Sequence, residues 1–345
     1  MLSKKTVIVS ILEILKKYSD ENHRLSQKDI LDYLKRDYDT EVDRKAIKRN
    51  LSFLIECGVP LEYEVVARTD KNGNTHEMLT DFYFVREFTD AELRLLIDSV
   101  LFSKHIPIKQ CKRLVNKIAG LSSVYFSQKV KHMSNLPEGK PTGPELFYSI
   151  EIIDEAIGKN RQIAFEYCDF HTDKKLYPRL RDDGTVRIYE ASPYQMVATN
   201  GRYYLITCLD KYDTVTHFRM DRIRNVRILH HKAAKSVRSV KEFKNGLSLP
   251  KHMAEHIYMF SGENQQVVFE ADKYIVTDII DWFGSGVRFF EETEDSVKAT
   301  VSVNLRAMKY WCMQYGKKVR VLSPAILAEQ IKKELTDALA SYEDD

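Results

Sequence analysis

The chain has 345 residues, of which 43% are hydrophobic and 30% charged, so a folded core is available and wholesale disorder is excluded. No run approaches the roughly eighteen consecutive apolar residues of a membrane-spanning helix. A net charge of only +3 excludes a uniformly basic coat, so any nucleic-acid surface must be local.

At the N-terminus, charges flank a short apolar run that lacks a small-residue cleavage site. Val7, Ile8, Ile11, Leu12, Leu15 and Tyr18 recur at helical spacing, so the segment reads as a helix and not as a signal peptide. Ser26 with Asp29 forms a capping box ahead of a second helix bearing Ile30, Leu31 and Leu34. Asp43 caps a third helix, Val42 can staple onto Ile47, and Gly58 stops it. Two alternating segments around Asp70-Lys71-Asn72-Gly73 predict a β-hairpin. Thr89 and Glu92 open a further helix, and another follows Pro107.

Three helices and a hairpin form the pattern of a winged helix-turn-helix, expected over residues 1–88, with a helical connector over 89–133. On the third helix Ala46, Ile47, Leu51 and Leu54 can face inward, leaving Arg44, Lys45, Lys48, Arg49 and Ser52 on the opposite side. Such a face can enter a major groove, where Arg bonds guanine edges and Lys neutralises phosphate. Asn50 lies at its edge, and Arg68 and Lys71 of the hairpin could reach a neighbouring phosphate. The bland alternative is a solvated charged face; the combination of elements favours double-stranded DNA as partner.

Residues 134–144 carry Pro137, Gly139, Pro141, Gly143 and Pro144 and are expected to be a linker. A short helix with Phe147, Ile150, Ile153 and Ile157 opens the block 145–231. Five or six short strands follow, two of them joined at Asn200-Gly201, which suggests a small barrel. Residues 232–249 are basic with few large apolar side chains and read as a second linker. Residues 250–345 alternate as βαββαβα, an α/β sandwich pattern. The whole is a multi-domain α+β chain. Five dispersed cysteines (Cys57, Cys111, Cys168, Cys208 and Cys312) form no CxxC pair. They read as buried small apolar residues of a protein in a reducing cytoplasm.

At Gly201-Arg202-Tyr203-Tyr204-Leu205-Ile206 and His217-Phe218-Arg219-Met220-Asp221-Arg222-Ile223 the sequence resembles the WYL-domain family of bacterial transcriptional regulators. Tyr203 stands where the naming triplet has Trp, and Ser192-Pro193-Tyr194 is similar to the family's strand entry. The resemblance implies an Sm- or SH3-like sensor barrel between the DNA-binding domain and a C-terminal extension. It also implies a nucleic-acid or nucleotide-like effector, with Arg219 and Arg222 as leading contacts and Tyr204, Ser192 and Tyr194 beside them. The residues support this themselves: Arg219, Arg222, Arg224 and Arg227 crowd one segment, and guanidinium forks match phosphate. Against it, Tyr204 and Phe218 could be core residues, and Asp221 could pair with an Arg. A homodimer is expected, since helix-turn-helix proteins usually read two half-sites; the last block or the apolar face of 93–101 would mediate it. The runner-up is a nucleic-acid-binding accessory protein with no ligand switch.

His252-Met253-Ala254-Glu255-His256 fits H-x-x-E-H, in which two histidines hold zinc and a glutamate acts as base. Glu329 and Glu334 are candidate third ligands. Short motifs arise by chance, and Met253, Ile257 and Phe260 make a stripe that the histidines could merely flank. The sequence reading therefore assigns no catalytic residue, metal or cofactor, with a zinc-dependent hydrolase as the remaining alternative.

Overall fold

The computed structural model describes residues 6–69, 75–131, 145–262 and 264–343. Two compact units divide the chain, Met1–Lys140 and Pro141–Asp345.

The first unit opens with α1 (Val7–Tyr18), α2 (Gln27–Tyr38) and α3 (Arg44–Glu56). The antiparallel pair β1 (Leu61–Thr69) and β2 (Thr75–Phe84) follows, then α4 (Asp90–Phe102), α5 (Ile108–Ala119) and α6 (Val124–Lys131). Local chemistry sets these boundaries. Reciprocal capping boxes, Ser26 with Asp29 and Thr89 with Glu92, satisfy the first amides of α2 and α4. Asp43 Oδ1 accepts from the Ala46 amide at 2.6 Å to start α3, and Gly58, at φ +75°, ends it. One core joins Ile11, Ile14 and Leu15 of α1, Ile30 and Leu34 of α2, Ile47, Leu51 and Leu54 of α3, and Phe82 of β2. Leu25 and Phe82 exchange both backbone hydrogen bonds, at 2.8 and 2.9 Å, which draws the hairpin onto the helices.

The sequence does not predict α6 as a separate element. Ser123 donates to Asp20 Oδ2 at 2.7 Å, and Tyr125 stacks on His23 with ring centres 3.6 Å apart, so long-range contacts position it. On α4, Leu93 and Ile97 are fully buried within the unit, while Leu95, Leu96 and Phe102 remain exposed. The inward half of the 93–101 face is thus consumed by intradomain packing.

The second unit begins with α7 (Leu146–Gly158), β3 (Arg161–Phe170), β4 (Leu176–Pro178), β5 (Ile188–Thr199), β6 (Arg202–Leu209) and β7 (Val215–Arg219). A single 3-10 turn, Met220–Arg222, leads into β8 (Ile223–Ala233). The antiparallel sheet runs β4-β3-β5-β6-β7, with β8 also on β3. Asn200 and Gly201, at φ 50° and 69°, make the primed turn joining β5 to β6. Strands β8 and β7 flank β3-β5-β6, and four spacings of about 4.8 Å would part them by about 19 Å in a flat sheet. Four residue steps, Arg219 to Ile223, reach about 14 Å at most, so the sheet must curl. Its curled interior holds Phe165, Tyr167, Tyr189 and Phe218, with ring centres 4.9 to 6.3 Å apart.

Residues 232–249, expected as a linker, are instead packed. Val240 and Phe243 are buried against Tyr194, Ile206, Val215 and Met259. Two apolar anchors three residues apart suffice to fix a segment whose composition is otherwise basic.

The chain continues with α8 (Leu249–Glu255), β9 (Asn264–Asp272), α9 (Val276–Phe283), β10 (Arg288–Phe290), β11 (Ser296–Asn304), α10 (Leu305–Tyr315), β12 (Val319–Ser323) and α11 (Ala325–Glu343). The antiparallel sheet order is β10-β11-β9-β12. Val267, Phe269 and Ala271 of β9 and Ala299, Val301 and Val303 of β11 alternate inward. They share one core with Ile279 and Phe283 of α9, Met308 and Trp311 of α10 and Leu327 of α11. Among the described residues no helix is long and apolar enough to cross a membrane. Four cysteines are buried as expected, but Cys57 is exposed.

Candidate nucleic-acid interface and ligand site

Helix α3 presents Arg44, Lys45, Lys48 and Arg49 fully to solvent, with Ser52 half-buried beside them, while Ile47, Leu51 and Leu54 face the core. Among the described residues none of the four cations lies within ion-pairing distance of a carboxylate. Asn50 Nδ2 donates to the Ala46 carbonyl at 2.8 Å, which ties it to its own helix and away from base reading. Arg68 is exposed on β1; Lys71 lies outside the described residues.

The cations of the second unit behave differently. Arg219 ends β7 and turns its guanidinium onto Asp221, with Nε to Oδ1 at 3.1 Å and Nη2 to Oδ2 at 2.6 Å. Asp221 is only 3% exposed. Burial alone would depress the Arg219 pKa, but the Asp221 hydrogen bonds and charge outweigh it and hold the guanidinium above its ordinary value. Arg222, on the 3-10 turn, pairs with Asp169 and donates from Nε to the Cys168 carbonyl at 2.7 Å. Its guanidinium lies 4.5 Å from the Tyr167 ring centre, and that of Arg179 lies 5.0 Å from it. Arg179 also binds Asp169, at 2.7 Å. These arginines therefore have anionic partners within the chain, Asp221 for Arg219 and Asp169 for Arg222 and Arg179, which is the Asp221–Arg pairing the sequence left open.

Tyr204 lies opposite Arg219 across the β6–β7 ladder and is half-buried. It joins the Arg219 end of the sheet. Ser192 is fully buried and accepts the Lys235 amide at 2.9 Å, and Tyr194 packs edge-on to Phe243. Those two side chains are engaged by the 235–243 segment. Sequence reasoning misses Tyr167 and Asp169, which bracket Arg222, and Arg179. By sequence Asp169 belongs to a strand-to-turn transition, and no local spacing ties it to an arginine fifty-odd residues later. Phe218 is a core residue, T-shaped on Phe165 at 5.0 Å.

The H-x-x-E-H segment is corrected in two respects. Glu255 points its carboxylate to other partners, accepting from Asn264 Nδ2 at 3.1 Å and Ser302 Oγ at 3.3 Å. The third neighbour is neither Glu329 nor Glu334, both exposed on α11, but His217 of β7. His217 Nε2 lies 2.8 Å from His252 Nε2, and one nitrogen from each of His217, His252 and His256 lies within 4.8 Å of the others. Burial pushes the His217 pKa down to about 2 and that of His252 to about 3, each reinforced by neighbouring histidine. His256 is lowered by burial as well. Burial thus disfavours the charged form of all three rings.

A WYL domain model matches residues 149–228, and a WCX domain model matches residues 263–339. No curated protein matches the chain. Among solved structures, the proteasome accessory factor B/C (PafBC) of Arthrobacter aurescens is similar at 15% identity and a TM-score of 0.30, over 99% of this chain and 49% of that one. A CRISPR Cas-related protein is similar at 14% identity and a TM-score of 0.38, over 100% of this chain and 87% of its own. The chain spans about half the length of PafBC. The second unit thus carries a WYL domain followed by a WCX domain.

Proposed function

We propose that the protein is a cytoplasmic, DNA-binding transcriptional regulator that acts as a homodimer. Its first three helices and hairpin form a winged helix-turn-helix. Its curled WYL sheet is an Sm- or SH3-like barrel that senses an oligonucleotide or nucleotide-like anion, and its C-terminal block is an α/β sandwich. The observation that carries the DNA-binding reading is the α3 face: four exposed cations with no in-chain counter-ion among the described residues, in a chain where Arg219 and Arg222 are carboxylate-paired. Unmatched cations on one helical face suit a polyanion. The residues assigned to DNA are Arg44, Lys45, Lys48, Arg49, Ser52, Arg68 and Lys71; those assigned to effector are Arg219, Arg222, Tyr204, Ser192 and Tyr194. No catalytic role is assigned.

The test is selection of bound duplexes from a random library with the full chain, followed by gel-shift titration of the Arg44→Ala, Lys48→Ala double variant. An enriched inverted repeat that the double variant binds at least tenfold more weakly supports the reading. Unchanged binding by that variant removes α3 from the interface.

The in-chain pairing of Arg219 and Arg222, which leaves neither charge free to act as a trigger, favours a second reading, an accessory nucleic-acid binder whose barrel and α3 face both grip nucleic acid with no switch between them. A single-stranded oligonucleotide that leaves operator affinity unchanged at saturation decides for it.

A further inference from the structure

Helix α8 and strand β7 come from parts of the chain 35 residues apart, yet they place three imidazoles in one buried cluster. His252 and His256 stack with ring centres 4.1 Å apart, and His217 lies 5.0 and 5.1 Å from them. Stacking accounts for the ring faces but not for the nitrogens. His256 Nδ1 is held by the His252 carbonyl at 3.0 Å, which directs the free lone pair to Nε2, and Nε2 is buried without a partner. The His217–His252 contact uses one nitrogen of each ring, and His217 Nδ1 is left buried and unpartnered. Whichever ring donates in that contact, a buried polar atom is unmatched on the protein side.

A carboxylate borders the cleft that His252 and His256 line, outside the three-histidine cluster itself. Glu242 accepts the Val215 amide through Oε2 at 3.2 Å, while its Oε1 is buried without a partner. Glu242 and Glu255 line a common cleft of about 540 Å³ with His252 and His256, and only Glu242 keeps a buried carboxylate oxygen without a partner. A path for an ion from solvent therefore exists.

We infer that His217, His252 and His256 bind a divalent first-row transition metal, zinc fitting best, with Glu242 as the fourth ligand. Three imidazoles and one carboxylate match the donor set that zinc takes in tetrahedral geometry. Zinc–nitrogen bonds of about 2.05 Å require nitrogens about 3.3 Å apart, so the cluster needs only small side-chain adjustments. The His256 Nδ1–H to carbonyl bond is the outer contact that orients a ligating imidazole. Glu255 is engaged elsewhere, which separates this site from a metalloprotease centre.

The site is a clamp. It joins β7 of the WYL sheet to the segment feeding β9 and the WCX domain. The same seam carries the Asn200 Nδ2 to Ile257 carbonyl bond at 2.8 Å and the His217 amide to Ser261 Oγ bond at 3.3 Å. Metal held there stabilises the unit by mass action.

The test uses the untagged full chain, purified without chelator, with elemental analysis and a Co²⁺ titration followed by visible absorption. About one equivalent of zinc per chain, tetrahedral Co²⁺ d–d bands and a thermal midpoint that rises with added Zn²⁺ are expected. His256→Gln, checked by far-ultraviolet circular dichroism, should lose the bands, and Glu242→Gln should weaken metal binding and shift them. Wild-type protein that retains no stoichiometric metal and develops no bands overturns the inference, as does a folded His256→Gln variant with unchanged bands. Neither result bears on DNA binding by α3.

Discussion

Arg219 meets Asp221 through two hydrogen bonds, and the carboxylate is 3% exposed while the Arg219 side chain is 21% exposed. An anionic effector can reach Arg219 only in competition with that carboxylate. The pair therefore has two roles that one substitution separates. Asp221→Asn keeps the shape and removes the charge, leaving a half-buried guanidinium without its counter-ion. Breaking a fully buried pair costs about 3–5 kcal/mol; with Arg219 partly solvated, a loss of about 2 kcal/mol is expected, read from denaturant unfolding. If Arg219 contacts the effector, the same variant binds a single-stranded oligonucleotide more tightly than wild type, because the internal competitor is gone. Equal or weaker oligonucleotide binding by a folded Asp221→Asn protein makes the pair purely structural. The Asp169 carboxylate, shared by Arg222 and Arg179, poses the same competition one turn away.

At the scale of elements, α3 is set by its N-cap, and the DNA-binding reading rests on its outer face. Asp43→Ala removes the bond to the Ala46 amide and should cost about 1 kcal/mol of unfolding free energy, with operator affinity falling in step as the helix start frays. Arg44→Ala and Lys48→Ala act differently, since both side chains are exposed and touch nothing in the core. Stability should hold within about 0.5 kcal/mol, while the slope of log affinity against log salt becomes shallower by about 0.9 for each phosphate that is no longer neutralised. Titrations at several salt concentrations separate the two effects. Helix α3 is legible in the sequence because its signals are local: a cap, a staple, a period and a stopping glycine. The Asn200-Gly201 turn is legible for the same reason. Val240 and Phe243 are not, because two apolar residues in a basic segment carry no period. His217 is invisible as a partner of His252 because nothing but the fold brings residues 35 apart together. Asp221 stands two residues from Arg219, close enough for the sequence to offer it as a partner; Asp169 has no spacing that ties it to Arg222.

At the scale of the whole molecule, the regulator reading requires that effector and operator change each other's affinity. Linkage makes this coupling reciprocal: if saturating effector changes operator affinity by some factor, saturating operator changes effector affinity by the same factor. Typical couplings of about 1–3 kcal/mol correspond to about five- to 150-fold. Each arm is measurable on the full chain, with a labelled operator duplex titrated in the presence and absence of a single-stranded oligonucleotide and then the reverse. Matching factors above about fivefold establish a switch. A factor of one in both arms leaves two independent nucleic-acid sites on one chain, the accessory-protein reading. An effect that grows with oligonucleotide concentration and never plateaus marks a third outcome, direct competition of the oligonucleotide for the α3 face, and the Arg44→Ala, Lys48→Ala variant identifies it, because oligonucleotide affinity would then fall together with operator affinity. For a homodimer the selected operator should also be an inverted repeat with half-sites about 34–36 Å apart, one duplex turn, or a multiple of it, and the coupling should disappear on a single half-site if effector acts by setting the relation of one DNA-reading helix to its partner's.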